Sequence, residues 1–294
     1  MKVWIGNLGK YNEGYLVGDW LELPKSEKEI NDFLRDVVGL QLTQSEVDKA
    51  LATDGVCYEE WFIADYDEVQ FTNVELGEYT NLESLNLLAA YEDKCNDFDA
   101  VNAYCDIHNI SDIEEICNVV EQQDKLTVLT YHYSAHLNEN ELKAHVYIDE
   151  MGVGFDNFSN EDLARFIDYA ELGRYYDLYY EAYEEGMPET AGEYYCGNAN
   201  ATDREIGVAV EEMYGVEAFS RKILESCFDY EQYGKDYVND MFEVIDNGFD
   251  TQKLLYVSDD INETLYTRDE LLEEAFGITE ELNQEINVPD ICDD

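Results

Sequence analysis

Basic residues are scarce in this 294-residue chain. Against 69 Asp plus Glu there are only 17 Lys plus Arg, so 17 − 69 leaves a formal net charge of −52. A protein that reads or tracks nucleic acid needs a cationic footprint to replace the counterions on phosphate. This chain is expected to repel DNA, RNA and anionic membrane surfaces, and its natural partners are cationic. Proline is also rare, at 3 residues, and no Gly/Ser linker or low-complexity tract interrupts the chain. No run of about 18 apolar residues occurs, so no membrane-spanning helix is expected. The opening Met1-Lys2-Val3-Trp4-Ile5-Gly6-Asn7 is too short in its apolar run for a signal peptide. The 7 cysteines form no C-x-x-C pair and are odd in number, which points to reduced thiols in a cytoplasm rather than a disulfide framework.

Apolar content, by contrast, is ordinary: 45% of residues are hydrophobic and 13% aromatic, including 24 Tyr, 12 Phe and 3 Trp. Such a chain can bury a core despite its charge, so it reads as folded rather than disordered. Lys2 to Ile5, Tyr15 to Leu23 and Glu60 to Tyr66 read as strands, with a glycine-punctuated loop over 6–14. Ser26 with Glu29, Thr43 with Glu46, and Ser111 with Glu114 have the spacing of capping boxes that open helices. Val128 to Tyr133 reads as a short strand, and 140–149 and 160–180 as mostly helix. A strand pair is expected around Asn247-Gly248, then an acidic amphipathic helix near 269–282. The fold class is α+β, an elongated string of small domains with a strongly acidic surface. The expected segments are 1–80 (α+β), 81–140 (mainly helical), 141–188, 189–250, and an acidic helix and tail over 251–294.

The third and fourth segments rest on a repeat. Phe158-Ser159, Leu163, Asp168-Tyr169, Gly173 and Tyr176 recur 61 residues later as Phe219-Ser220, Leu224, Asp229-Tyr230, Gly234 and Tyr237. Arg174 matches Lys235 as a like-for-like change. The pattern reads as a duplicated small domain.

Motifs for chemistry are absent. Gly6-x-x-Gly9-Lys10 lacks phosphate-loop spacing, and there is no G-x-S-x-G elbow or EF-hand loop. His132 and His136 stand four apart, but on an expected strand, where that spacing does not converge on a metal. Carboxylate pairs drawn from 69 acids identify no acid/base couple. No catalytic, cofactor-binding or metal-binding residue is expected, and the chain is not read as an enzyme.

The density of charge is the remaining signal. Duplex DNA carries about one negative charge per 1.7 Å of axis, so 52 net charges correspond to about 88 Å of duplex. A compact chain of this length has a radius of gyration of about 19 Å. In the segment 269–282 six carboxylates, among them Glu270, Glu273 and Glu274, fall about 3.5 Å apart along a helix, close to the spacing of phosphates on one strand. Similar density runs through Asp177, Glu181, Glu184, Glu185, Glu189 and Glu193, and through Asp106, Asp112, Glu114, Glu115 and Glu121. Self-repulsion on this scale costs stability. A use is therefore expected: a DNA mimic that fills the cationic groove of a DNA-binding protein. The candidate mimic carboxylates are Asp168, Asp177, Glu181, Glu184, Glu185, Asp229, Glu231, Asp236, Glu270, Glu273 and Glu274. Two other classes stay open, a halophile-type acidic protein and an acidic chaperone of basic proteins.

The chain also resembles the ArdA-type antirestriction proteins. The likeness is carried by Ile5-Gly6-Asn7-Leu8-Gly9-Lys10-Tyr11-Asn12-Glu13-Gly14-Tyr15-Leu16-Val17-Gly18-Asp19-Trp20, then Ala64-Asp65-Tyr66-Asp67 and Tyr79-Thr80-Asn81-Leu82-Glu83-Ser84-Leu85-Asn86. Ile113-Glu114-Glu115, Tyr147-Ile148-Asp149-Glu150-Met151-Gly152 and the run Phe166 to Leu178 follow in the family's order. The resemblance implies small α+β domains that imitate bent DNA. It implies inhibition of type I restriction–modification enzymes through their DNA-binding subunits, in a bacterial cytoplasm, from a gene on a plasmid, conjugative element or phage. It implies dimerisation near 166–178. The second copy departs from the pattern. It raises the alternative of an intramolecular pseudo-dimer, with Phe166, Tyr169, Tyr176, Phe228, Tyr230 and Tyr237 as the candidate interface. It also opens the target to other defence systems, BREX-type or CRISPR effectors.

Overall fold

The structure is a computed structural model that describes residues 1–131, 137–152, 155–247 and 252–277. The chain forms two compact units, one of Met1–Val128 with Val257–Asp294 and one of Leu129–Tyr256. The architecture is mixed helix and small antiparallel sheet, as the α+β reading expects.

In the first unit, strand β1 (Lys2–Asn7) is flanked on both sides after the chain turns through helix α1 (Leu8–Asn12) into β2 (Gly18–Glu22). Helices α2 (Glu27–Asp36) and α3 (Gln44–Asp54) precede β3 (Trp61–Asp67), and the sheet order is β2-β1-β3, all antiparallel. Val3 and Ile5, completely buried, alternate along β1 towards the core. The expected loop over 6–14 is in fact partly helical. Asn7 accepts a hydrogen bond from the Lys10 backbone N–H and caps a single helical turn before Gly14, at φ +89, breaks it. The capping boxes Ser26/Glu29 and Thr43/Glu46 form reciprocally.

Helices α4 (Leu82–Lys94), α5 (Phe98–His108) and α6 (Ile113–Glu121) follow, with Leu85, Leu88, Val101 and Ile116 fully buried between them. The cap of α6 is Asp112 rather than Ser111: the Asp112 carboxylate accepts from the Glu114 and Glu115 N–H groups. A charged acceptor one residue nearer the helix makes stronger bonds than a hydroxyl. Strand β4 (Leu126–Tyr131) ends this stretch; His132, His136 and the expected continuation of the strand to Tyr133 lie outside the described residues.

The second unit is mostly short helices: α7 (Glu139–His145), continued by a π-turn over Val146–Glu150, α8 (Asn160–Arg165), α9 (Tyr169–Leu178), α10 (Ala191–Cys196), α11 (Asp203–Tyr214), α12 (Arg221–Cys227) and α13 (Tyr230–Tyr233). A second π-turn, Gly234–Val238, continues α13. The span expected as helix over 160–180 is split at Phe166–Asp168, where the backbone extends to make a bridge described below. Strands β5 (Phe242–Asn247) and β6 (Gln252–Val257) pair antiparallel, and the sheet order is β4-β6-β5. The expected strand pair is present; Gly248 lies outside the described residues.

The chain then returns to the first unit, where helix α14 (Arg268–Phe276) packs on α4 and α6 through the fully buried Leu271. Arg268 holds it there, donating to Glu83 at 2.7 Å, Glu114 at 2.6 Å and the Ser84 hydroxyl at 2.9 Å. The described helix ends at Phe276, capped by Gly277. Glu280, Glu281 and Leu282 of the expected acidic helix, and Cys292, lie outside the described residues.

Candidate partner-binding surface

The second unit brings the two sequence copies together. Ile167 and Phe228, 61 positions apart, face each other in an isolated antiparallel bridge. The Asp168 N–H donates to the Cys227 carbonyl at 2.7 Å, and the Asp229 N–H donates to the Phe166 carbonyl at 2.7 Å. Exchanging each residue for its repeat equivalent 61 positions away, 168 for 229 and 227 for 166, turns one bond into the other. This is the reciprocal pattern of a two-fold interface, made here inside one chain.

The helices that follow each bridge strand cross over. Helix α9 of the first copy packs along α11 of the second, while α13 and its π-turn pack on α7 of the first. Both crossings run through glycine. A Cβ on Gly173 would fall inside the carbonyl of Asp203, one on Gly207 inside that of Tyr169, and one on Gly234 inside that of Asn140. Only hydrogen at these positions lets backbones approach so closely. Gly173 and Gly234 are equivalent positions of the repeat, so each copy closes its partner by the same device.

Aromatic rings fill the junction. Phe228 lies 5.9 Å from Phe166, 5.1 Å from Tyr230 and 5.4 Å from Tyr233, and Phe166 meets Tyr237 edge-on at 5.3 Å. Tyr230 stacks on His145 at 3.8 Å. Phe166, Phe228, Tyr230 and Tyr237 of the expected interface set are thus gathered in one cluster. Tyr169 and Tyr176, on α9, meet the second copy at a separate place: Tyr169 lies beneath the guanidinium of Arg204, and Tyr176 packs against Tyr195 and Phe219.

Burial raises several groups here. The Cys227 thiol is pushed up to about 12 by burial and then by the charges of Asp168 and Glu171. Tyr233 is pushed up to about 12 and, in the first unit, Cys105 likewise, each chiefly by burial. The fold keeps these groups protonated above the pH at which the unfolded chain ionises them. Their stabilisation is therefore complete below about pH 9 and drains as pH rises towards 12. The urea midpoint is expected to fall continuously from pH 9 to 12; a midpoint level to pH 11 would contradict this.

The named carboxylates divide into two kinds. Asp168 and Asp229 cap α9 and α13, and Glu270 caps α14 through Thr267. Asp236 pairs with Arg165 at 3.4 Å and Glu274 with Lys94 at 3.3 Å. Asp177, Glu181, Glu184, Glu185, Glu231 and Glu273 are exposed and carry no ion pair among the described residues. Spacing along the sequence marks where acids are dense; it does not separate those committed to caps from those free for a partner.

A family model described as antirestriction protein (ArdA) matches residues 3–189. The chain belongs to the ArdA antirestriction family. No curated protein matches it. The match ends inside the connection after α9, so the second copy, α10 to β5, lies beyond the span of the ArdA model. The ArdA family is one of inhibitor proteins rather than enzymes, and its antirestriction character implies interaction with restriction enzymes. Among the described residues, no group of three or more His, Cys, Asp or Glu could hold a metal ion, and no helix is long and apolar enough to cross a membrane.

One feature of the surface has no counterpart in the sequence expectations. Tyrosines of α9, of the two residues that follow it, of α10 and, through Tyr214, of α11 form a continuous ring network. Tyr175 lies 4.7 Å from Tyr179, Tyr176 5.8 Å from Tyr195, Tyr180 5.5 Å from Tyr194 and Tyr194 4.8 Å from Tyr195. The signal available in the sequence was the stretch 175–203, which holds seven Tyr and seven acids without a single Lys or Arg.

Proposed function

We propose that this ArdA-family chain is a DNA mimic that blocks the DNA-binding groove of type I restriction–modification enzymes, acting in the cytoplasm of a bacterial host. The observation that carries the reading is a net charge of −52 on a folded chain of this family. Exposed carboxylates with no ion pair among the described residues, such as Asp177, Glu181, Glu184 and Glu185, are the groups to stand in for phosphates. They need counterions, and a groove built for DNA supplies them at matching density. The two copies act as an intramolecular pseudo-dimer, so that one chain presents the two-fold array that otherwise takes two. The reciprocal hydrogen bonds and the paired glycine crossings support this part.

The decisive experiment is cleavage of a plasmid by a purified type I enzyme with rising amounts of the protein. Cleavage is expected to stop at near-stoichiometric protein and to resume when non-substrate duplex DNA is added in excess. Raising salt from 50 to 300 mM is expected to weaken the inhibition by about 100-fold, because screening shortens the reach of every charge pair. Inhibition that duplex DNA cannot relieve would defeat the mimic reading. Protection against a different DNA-binding defence effector, with the type I enzyme unaffected, would move the target and keep the mechanism. Light scattering tests the pseudo-dimer: a single-chain mass is expected, and a stable two-chain mass would overturn it.

A further inference from the structure

The chain's own arginines show how it binds a guanidinium. Arg165 stacks over the ring of Tyr237 at 5.3 Å, donates to its hydroxyl at 2.9 Å, and pairs with the neighbouring Asp236 carboxylate at 3.4 Å. Lys10 meets the same three elements in the first unit, over the ring of Tyr58 at 4.3 Å, donating to its hydroxyl and pairing with Glu13 at 3.1 Å; a guanidinium adds a flat face that stacks and a five-donor fork, which an ammonium lacks. Exposed rings and exposed carboxylates are also close in sequence from the end of α9 to α10. Tyr179 is 61% exposed and Tyr183 78%, and Tyr175 and Tyr194 are also within reach of solvent. Glu181, Glu184 and Glu185, exposed themselves, are their neighbours in the sequence. No Lys or Arg occurs from 175 to 203, and among the described residues no cation of the chain lies over these rings.

Exposed aromatic rings would be a liability on a surface without a use. A second copy meeting this face with its own would set the same seven acids against it, which disfavours that contact. We propose that the tyrosine–carboxylate face of residues 175–195 is a docking surface for arginine side chains on the DNA-binding surface of a partner protein. It would select arginine over lysine through stacking on Tyr179 and Tyr183, while the carboxylates supply attraction without preference. Phosphate has no counterpart to the ring, so this face holds a partner by a contact that the phosphates it stands in for do not make. The proposal rests on the antirestriction reading for the nature of the partner, not for the chemistry of the face.

The test uses the whole chain and two peptides of equal charge, nona-arginine and nona-lysine, with affinities measured by calorimetry at 150 mM salt. For the native chain arginine is expected to bind about tenfold more tightly, the sum of two to three exposed ring contacts. The double variant Tyr179→Ala/Tyr183→Ala is expected to lower that ratio to about twofold with the lysine affinity nearly unchanged. The variant Tyr179→Phe/Tyr183→Phe keeps the rings and should keep most of the ratio. Neutralising α14 with Glu273→Gln and Glu274→Gln should weaken both peptides alike. A fall in the ratio of threefold or more in the Ala variant supports the proposal, and any smaller change overturns it. Circular dichroism on each variant establishes that the fold is intact, as substitution at positions this exposed should leave it. A native chain that fails to protect DNA from a type I enzyme would sink the antirestriction reading while leaving the peptide ratio standing, so the two failures are distinct.

Discussion

Gly173→Ala is expected to unfold the second unit or to cost it at least about 3 kcal/mol, near the upper end for a single added methyl group. The new Cβ would occupy the space of the Asp203 carbonyl oxygen, and Gly207 on the facing helix has no room to yield because it meets Tyr169 in the same way. Two helix backbones in contact cannot relax by a rotamer change; the helices must separate along their whole crossing. On an exposed helix the same substitution would stabilise by up to about 1 kcal/mol, since alanine is the better helix former. The sign of the effect is therefore diagnostic. Chemical denaturation of the purified variant decides it, and stability equal to or above that of the native chain would refute the close crossing. Gly234→Ala, against Asn140, is expected to act in the same direction.

Phe228→Ala is the second large effect. The ring is 6% exposed and touches Phe155, Phe158, Phe166, Tyr230 and Tyr233. Its removal leaves a cavity at the centre of the junction, for which about 3–5 kcal/mol is the usual loss. Phe166→Ala is expected to cost a similar amount. Because the two rings belong to one cluster, the double variant should lose about 0.5–3 kcal/mol less than the sum of the singles. Equilibrium unfolding of the four proteins measures the coupling. Strict additivity would mean that the copies stabilise themselves separately.

Much of the first unit is legible in the sequence. The strand run Lys2 to Ile5 and the Ser26/Glu29 and Thr43/Glu46 boxes are local signals, and local signals survive folding. The misread places are those where a competing local bond wins. Asn7 turned an expected loop into a helical turn, and Asp112 displaced Ser111 as a cap. The break at Phe166–Asp168 had no local sign, because its cause is a strand 61 residues away. The repeat was readable as Gly173/Gly234 and Asp168/Asp229, yet the reason for those residues was not: glycine for backbone approach, aspartate for capping. The tyrosine network is the largest omission. Seven tyrosines across 29 residues carry no periodicity that separates a surface from a core, and only the packing of α9 against α10 and α11 shows which rings remain exposed.

The bridge between Ile167 and Phe228 also bears on how such a protein can evolve. Two identical chains meeting on a two-fold axis must change both sides of the contact with every mutation, because one codon writes both. Here each side has its own codon. Isoleucine opposes phenylalanine across the bridge, Arg174 has its counterpart in Lys235, and tyrosines crowd the residues after α9 but not those after α13. A chain that carries both halves is free to fit a target whose own halves differ, which a symmetric pair of copies could meet only by compromise.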